Sequence, residues 1–220
     1  MRFLFILALF FASLKVVAQV PSTQLIDPIT SRVFDIGRYA EVNGTPFFKD
    51  EWMTGSIVVK AGRYNQLQLK IDLHKNELLF NKNEVSYEFV EDFKGVVLMP
   101  RPEDSSSYLY FMKGVTAQAL KPDQFVQVLA FGKASFYRSD IELIAEMNEV
   151  NKGIVKYFNN STRYYIQSGS QVVLVKPGRK EVIEAIGDKM DLLEAFCNEQ
   201  KLNLKKEKEI VQLLEYYNKL

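Results

Sequence analysis

Gln66-Leu67-Gln68-Leu69-Lys70-Ile71-Asp72-Leu73 alternates apolar and polar side chains without a break. Successive side chains of a strand face opposite sides of its sheet. Leu67, Leu69, Ile71 and Leu73 therefore share one face, and Gln66, Gln68, Lys70 and Asp72 share the other. The stretch reads as a strand with one dry and one wet face, the pattern of an antiparallel sheet covered on one side. Its register is fixed, because a slip of one residue would move all four apolar side chains into water.

On both sides of this stretch the chain continues as a meander. Residues 56–60 form the preceding strand, with Ile57 and Val59 on one face, and Ala61-Gly62-Arg63 turns the chain back. His74-Lys75-Asn76 turns it into a strand at 77–81, and Lys82-Asn83-Glu84 into another at 85–90. Short strands of this kind joined by polar turns make an antiparallel meander. Asn43-Gly44 is a turn signal ahead of it. Further strands are expected at 95–99, 108–112, 125–131 and 134–138, with a Pro- and Ser-rich loop at 100–107. Residues 141–147 suit a helix or a strand. Residues 148–162 are polar, end in Asn159-Asn160-Ser161-Thr162, and read as a long loop and an internal boundary. A hairpin is expected from 163–167 and 171–176 across Ser168-Gly169-Ser170.

Past Pro177-Gly178 the apolar period becomes helical. One short helix covers 180–186. A second, with Asp188 in the N-cap position, presents Leu193, Phe196 and Cys197. A third, from Lys205, presents Ile210, Leu213, Leu214 and Tyr217 as one stripe. The expected fold is α+β: a mostly antiparallel, curved sheet over 33–147, a loop over 148–162, then a β-hairpin and a C-terminal helical tail over 163–220. The short strands and helical ending do not fit a transmembrane β-barrel.

The 220 residues carry 28 basic and 27 acidic side chains. Residues 1–18 read as a secretory signal peptide, with Arg2 at its start, an apolar core at 3–12, and Val16 and Ala18 at the cleavage positions. The apolar run is too short for a span of roughly 20 residues, and Lys15 interrupts it. Export to the periplasm or cell exterior is the expectation, with no transmembrane segment after cleavage and a flexible N-terminus over 19–32. Loss of Arg2 and Lys15 leaves 26 basic against 27 acidic groups, a balance of one negative charge. Such a chain has no general attraction for nucleic acid.

Chemistry is sparse. His74 is the one histidine, so His-rich metal sites and Ser-His or Cys-His mechanisms lack their parts. Asp72, His74 and Glu77 lie close in sequence but in a turn of solvated type. Phosphate-loop and dinucleotide fingerprints are absent, and Ser168-Gly169-Ser170 is a turn and not a nucleophile elbow. Cys197 has no cysteine partner in the chain and packs as a small hydrophobe on its helix. The Asn-x-Ser/Thr sites at Asn159 and Asn160 read as polar loop. No catalytic, cofactor-binding or metal residue is assigned, and no cofactor is expected. The aromatics Phe47, Phe48, Trp52, Tyr64, Tyr87 and Phe89 read as core and cross-strand pairs.

Several stretches taken in order resemble an uncharacterised family of exported, signal-peptide-bearing proteins common in Bacteroidota. They are Val-Val-Ala-Gln at the signal end, Gly44-Thr45-Pro46-Phe47-Phe48-Lys49-Asp50-Glu51-Trp52 with Gly55, the Leu-Lys-Ile-Asp-Leu strand, Phe125-Val126-Gln127-Val128-Leu129, Tyr164-Tyr165-Ile166, and Tyr216-Tyr217-Asn218. Phe136-Tyr137-Arg138 departs from the aliphatic-basic stretch expected there. The resemblance implies export and supplies no activity or site residues.

Three functions fit. The first is a non-enzymatic binding or cell-envelope interaction module, with an envelope protein or small apolar ligand as partner. The second is a periplasmic carrier of an apolar ligand in the concave sheet face, which requires an open cavity at Leu67, Leu69 and Ile71. The third is a hydrolase using paired acidic residues in a cleft. Sites are expected on the irregular parts: residues 47–52, the loop at Pro100, and 148–162.

Overall fold

The computed structural model describes residues 31–220. The signal peptide expected at 1–18 and most of the segment 19–32 lie outside the described residues. Among the described residues, twelve strands and three α-helices form an α+β fold around one large open sheet. The strands are β1 (Ser31–Val33), β2 (Val42–Asn43), β3 (Met53–Val59), β4 (Gly62–Asp72), β5 (Glu77–Lys82), β6 (Val85–Phe89), β7 (Phe93–Leu98), β8 (Leu109–Met112), β9 (Val126–Ala130), β10 (Ala134–Glu149), β11 (Gly153–Ser168) and β12 (Gln171–Val175). The helices α1 (Arg179–Ile186), α2 (Met190–Glu199) and α3 (Glu207–Lys219) close the chain. The strand order is β1-β6-β5-β4-β3-β7-β8-β9-β10-β11-β12 with antiparallel neighbours, and β2 alone adds in parallel, to β11.

The meander follows from the alternation at 66–73. Leu69 and Ile71 are fully buried among Met53, Ile57, Leu98, Phe111 and Phe125. This face is filled with side chains, so the cavity required of a concave-face carrier at Leu67, Leu69 and Ile71 is occupied by the protein itself. Gln66 and Gln68 are exposed as expected, but Lys70 and Asp72 are not: 9% and 0% of their surface is accessible. The second face of β4 is dry at its C-terminal end because residues 34–52 fold across it. Sequence periodicity reports only what a strand itself carries, and this cover comes from a segment without periodicity.

The helical tail packs on the second half of the sheet. Phe136, Ile166 and Val175 meet Val182, Ile183, Ile186, Leu193, Cys197, Ile210, Leu213, Leu214 and Tyr217 in one cluster. The apolar stripes expected of α2 and α3 thus face the sheet. Asp188 is not the N-cap of α2. Lys189 holds that position in a left-handed conformation, φ 50°, and Asp188 accepts a hydrogen bond from the Tyr217 hydroxyl at 3.3 Å. On the opposite sheet face Tyr137 and Tyr165 pack with Val115, Leu120 and Val126.

The expected loop and boundary over 148–162 is instead strand. β10 and β11 pair at sixteen successive positions, Ala134 with Ser168 through Glu149 with Gly153, and 141–147 is strand as well. The turn is only residues 150–152, where Asn151 at φ 70° precedes Gly153 at φ 78°. The polar run that suggested a loop makes cross-strand bonds: Asn160 donates to Glu142 at 2.8 Å and Thr162 to Asp140 at 2.6 Å. Strand propensity is a weak prior that such pairing overrides. Ser31 and Arg32, expected in a flexible lead-in, are strand β1. The 163–176 hairpin is present as the β11–β12 pair.

Candidate functional site

The second face of β4, β5 and β6 carries an unusual row. Cross-strand register places Lys70 beside Leu79, Asp72 beside Glu77, Leu79 beside Glu88, and Asn81 beside Ser86. These side chains point away from the main core and toward the segment 34–52. That segment starts at β1, where Phe34 N donates to Ser86 O at 2.9 Å. A 3-10 turn at Ile36–Tyr39 follows, with Asp35 accepting from Gly37 N at 2.9 Å as its cap. After β2, Gly44 at φ 92° turns the chain back, a conformation that glycine adopts without strain. Phe47 then pairs with Asp72, and Phe48 N donates to Ile71 O at 2.9 Å. Between this bridge and Met53 at the start of β3, residues 49–52 bulge out over Lys70.

The result is a pocket of about 370 Å³ lined by Phe34, Ile36, Pro46, Phe47, Trp52 and Leu79, with Lys70 and Asp50 as its charged members. This volume lies within the range of roughly 300–1,000 Å³ typical of small-molecule sites. The Lys70 ammonium sits 4.7 Å from the Phe47 ring centre and 4.9 Å from the Trp52 ring centre, and donates to the Asp50 carbonyl oxygen. A cation over aromatic faces is attracted by the ring quadrupole. Among the described residues no carboxylate forms an ion pair with it. The Asp50 carboxylate is instead engaged by the Thr45 hydroxyl at 2.8 Å. Burial holds the Lys70 ammonium below its ordinary value, with the Asp50 charge acting the other way.

One wall is held by a polar network. Asp72 accepts from the Tyr39 hydroxyl at 2.6 Å and from the backbone N–H groups of His74 and Lys75, both at 2.8 Å. Burial, followed by the hydrogen bond to Asp72, raises the Tyr39 phenol above its ordinary value. The Arg38 guanidinium bridges Glu77 and the buried Glu88, and Arg32 reaches Glu88 from the edge strand. These carboxylates are committed to structural partners. His74 packs against Tyr39 and Phe158, and its Nδ1 lies 2.9 Å from Glu142 O. The turn at Asp72, His74 and Glu77 is therefore a packed joint and not a solvated one. Among the described residues no group of three His, Cys, Asp or Glu side chains could hold a metal.

A second caged lysine lies nearby. Lys113 donates to Asn76 O at 2.5 Å and sits 4.4 Å from the Phe125 ring and 5.3 Å from Phe93, and burial lowers its ammonium in the same way. Cys197 is buried among the helices, and burial raises its thiol. Phe48, Tyr64 and Phe89 belong to the core as expected, while Phe47 and Trp52 line the pocket. The Pro100 loop borders a polar hollow with Thr54, Ser56, Asn65, Gln66 and Tyr108, without a buried charge. No helix of the described residues is long and apolar enough to cross a membrane.

Of these residues, sequence patterning placed Phe47 and Trp52 in an irregular segment suited to function but read their rings as core. Alternation assigns Lys70 and Asp72 to the wet face. The available signal is the charged pair Lys70 and Asp72 late in β4 and the aromatic-rich segment 47–52 about twenty residues before it, which periodicity does not connect. Comparison of the chain with protein-family models, curated proteins and solved structures finds no match to any of them.

Proposed function

We propose that this chain is an exported, non-enzymatic binding protein of the cell envelope, and that the pocket under residues 34–52 holds a small molecule with an apolar body and an anionic head. The observation that carries this reading is Lys70: a buried ammonium beside an apolar pocket, with a backbone acceptor and two rings but no carboxylate in ion-pair contact. A lysine ammonium has three N–H donors, so an acceptor beyond Asp50 O satisfies it further. An anionic ligand would supply the direct ion pair that the Asp50 carboxylate, engaged by Thr45, does not make. Phe34, Ile36, Trp52 and Leu79 would cover the apolar body. The signal-peptide pattern at 1–18 supports export.

Thermal unfolding in the presence of carboxylate probes tests this. Indole-3-acetate and medium-chain fatty acids should raise the melting temperature, whereas the matching neutral amides should not. Ligand at 100 times its Kd stabilises by about 2.7 kcal/mol, a readily measured shift. Lys70→Met should abolish the response. Equal stabilisation by acid and amide, or an undiminished response in Lys70→Met, overturns the assignment of the anionic head. Mass spectrometry of small molecules released from the chain purified from its native envelope then identifies the ligand.

A further inference from the structure

The alternating run of β4 begins at a fault in the sheet. Between β3 and β4, Ile57 pairs with Tyr64 and Gly55 pairs with Leu67, so Ser56 alone faces two residues, Asn65 and Gln66. This is a β-bulge on β4, a feature that re-aims side chains and recurs beside binding sites. Tyr64 and Leu67 both pack on the main core. Alternation counted from either one sends its neighbour outward, so the adjacent amides Asn65 and Gln66 emerge on the same face. A regular strand would separate them. Gln66 holds φ 55° to do so, a left-handed conformation that is costly for a residue with a Cβ.

The two amides border a hollow of about 550 Å³ that spans β3. Ser56 lines it: the residue is 2% exposed, and its hydroxyl has no hydrogen-bond partner among the described residues. Thr54 stands beside it on β3 and accepts from Gln68 Nε2 at 3.2 Å. From the β7 side come Met99 and Tyr108, and the Tyr108 hydroxyl donates to Pro102 O at 2.6 Å, which fixes the ring. Among the described residues no charged side chain lines the hollow, and Arg101 and Asp104 of the adjoining loop pair with each other at 2.7 Å.

We propose that this hollow is a binding site for a neutral oligosaccharide. A side-chain amide presents donors and an acceptor together, which matches the vicinal hydroxyl groups of a pyranose. The free Ser56 hydroxyl adds one more donor and acceptor. Tyr108 and Met99 offer apolar surface to the C–H face of a sugar ring. An ionic ligand would find no counter-charge here. A purely apolar one would strip water from Ser56, Asn65 and Gln66 and replace none of its hydrogen bonds. The hollow shares no lining residue with the Lys70 pocket, so sugar binding here and anion binding there are independent.

Amide NMR of the isotope-labelled chain, titrated with maltohexaose, cellohexaose and chitotriose to roughly 20 mM, tests the proposal. At least one of these sugars should shift the backbone signals of Thr54, Ser56 and Gln66 saturably. Gln66→Gly is the diagnostic variant, because glycine adopts a positive φ without strain. Its melting temperature should hold or rise, while the dissociation constant for the sugar rises about three- to tenfold through the lost hydrogen bonds. Ser56→Ala should weaken binding by a similar factor. Gln171→Ala, at an exposed position on β12, should leave binding unchanged. The absence of a saturable shift with all of these sugars overturns the proposal, as does binding that Gln66→Gly and Ser56→Ala leave intact or that Gln171→Ala weakens equally. Equal shifts with tetraglycine would assign the hollow to a peptide backbone and overturn it too.

Discussion

The Asn218 side chain bonds both backbone groups of Ala134: its Oδ1 accepts from Ala134 N at 2.9 Å and its Nδ2 donates to Ala134 O at 3.0 Å. Ala134 opens β10, two residues before the first β9 pair at Phe136. The amide of α3 thus does there what a neighbouring strand would do, and it ties the last turn of the chain to the sheet. Gly132 makes room for it, since a Cβ at that position would stand 2.4 Å from Asn218 Cγ.

Asn218→Ala should therefore destabilise the protein by about 1–3 kcal/mol, the cost of leaving buried backbone groups unpaired. Gly132→Ala should displace the same amide. The two changes share one contact, so their effects in urea denaturation should be clearly less than additive. Strict additivity would mean that Gly132→Ala does not act through the Asn218–Ala134 contact.

Gly55 tests the packing of the central strands. It lies in β3 between β4 and β7, and a Cβ there would come within 2.5 Å of Val97 O and 2.7 Å of Leu69 Cδ1. The backbone oxygen cannot step aside, and overpacking of this kind costs about 1–3 kcal/mol. Leu69→Glu, which buries an unpaired charge on the same dry face, should prevent folding altogether. Gln68→Glu, one residue away on the exposed side, should be near neutral. Circular dichroism melts of the three variants distinguish these outcomes. A folded Leu69→Glu would overturn the register of β4.

The difference between these neighbours was legible in the sequence, because alternation at 66–73 determines which side chains face the core. The helical stripes at Leu193, Ile210 and Leu214 were legible for the same reason. Lys70 and Asp72 were not. Their burial depends on residues 34–52, which have no period and are held by single contacts such as Tyr39–Asp72 and Phe47–Asp72. The 148–162 ribbon was misread because Asn159, Asn160, Ser161 and Thr162 have turn-like composition. Their partners, Glu142 and Asp140, lie close to twenty residues back along the chain. The pocket thus arises from a non-local contact, and local patterns do not record it.

Arg38 and Arg32 share Glu88 but differ in what they protect. The Glu88 side chain is 3% exposed, that of Arg38 23%, and that of Arg32 67%. Removing the enclosed partner leaves the buried charge with only a solvent-exposed one, whereas full loss of pairing for a buried charge costs about 3–5 kcal/mol. An exposed pair contributes about 0–1 kcal/mol. Arg38→Met should therefore lower stability far more than Arg32→Met, measured by urea denaturation at neutral pH. Adding Glu88→Gln should recover most of the Arg38→Met loss. Equal losses for the two arginine variants would show that Glu88 does not depend on the enclosed partner.

Lys70 gives a pH test that separates its charge from its packing. Burial sets its ammonium below the ordinary lysine value of 10.5 in the folded chain, whereas the unfolded chain has the ordinary value. At pH below the folded value both states are protonated, and the folded state carries the full cost of an enclosed charge. Between the folded and unfolded values the unfolded chain binds the extra proton, so stability rises with pH. The cost is relieved in that window and is constant again above 10.5. Lys70→Met keeps a similar stem and has no proton to lose. Near neutral pH it should be as stable as the wild type or more so, as replacement of a buried charge by an apolar group often is. As pH rises toward 10 the wild type should gain on the variant. Taking the difference cancels Lys113, which burial shifts the same way, and Tyr39, which burial shifts upward. Urea denaturation of both proteins at pH 7, 8.5 and 9.5 measures the difference directly. A difference that stays flat across this range would mean that Phe47 and Trp52 hold the ammonium at its ordinary value. A bound anion should have the opposite effect: it favours the protonated form, so in its presence the gain of wild type over Lys70→Met should be largest at neutral pH and fall as the medium becomes alkaline.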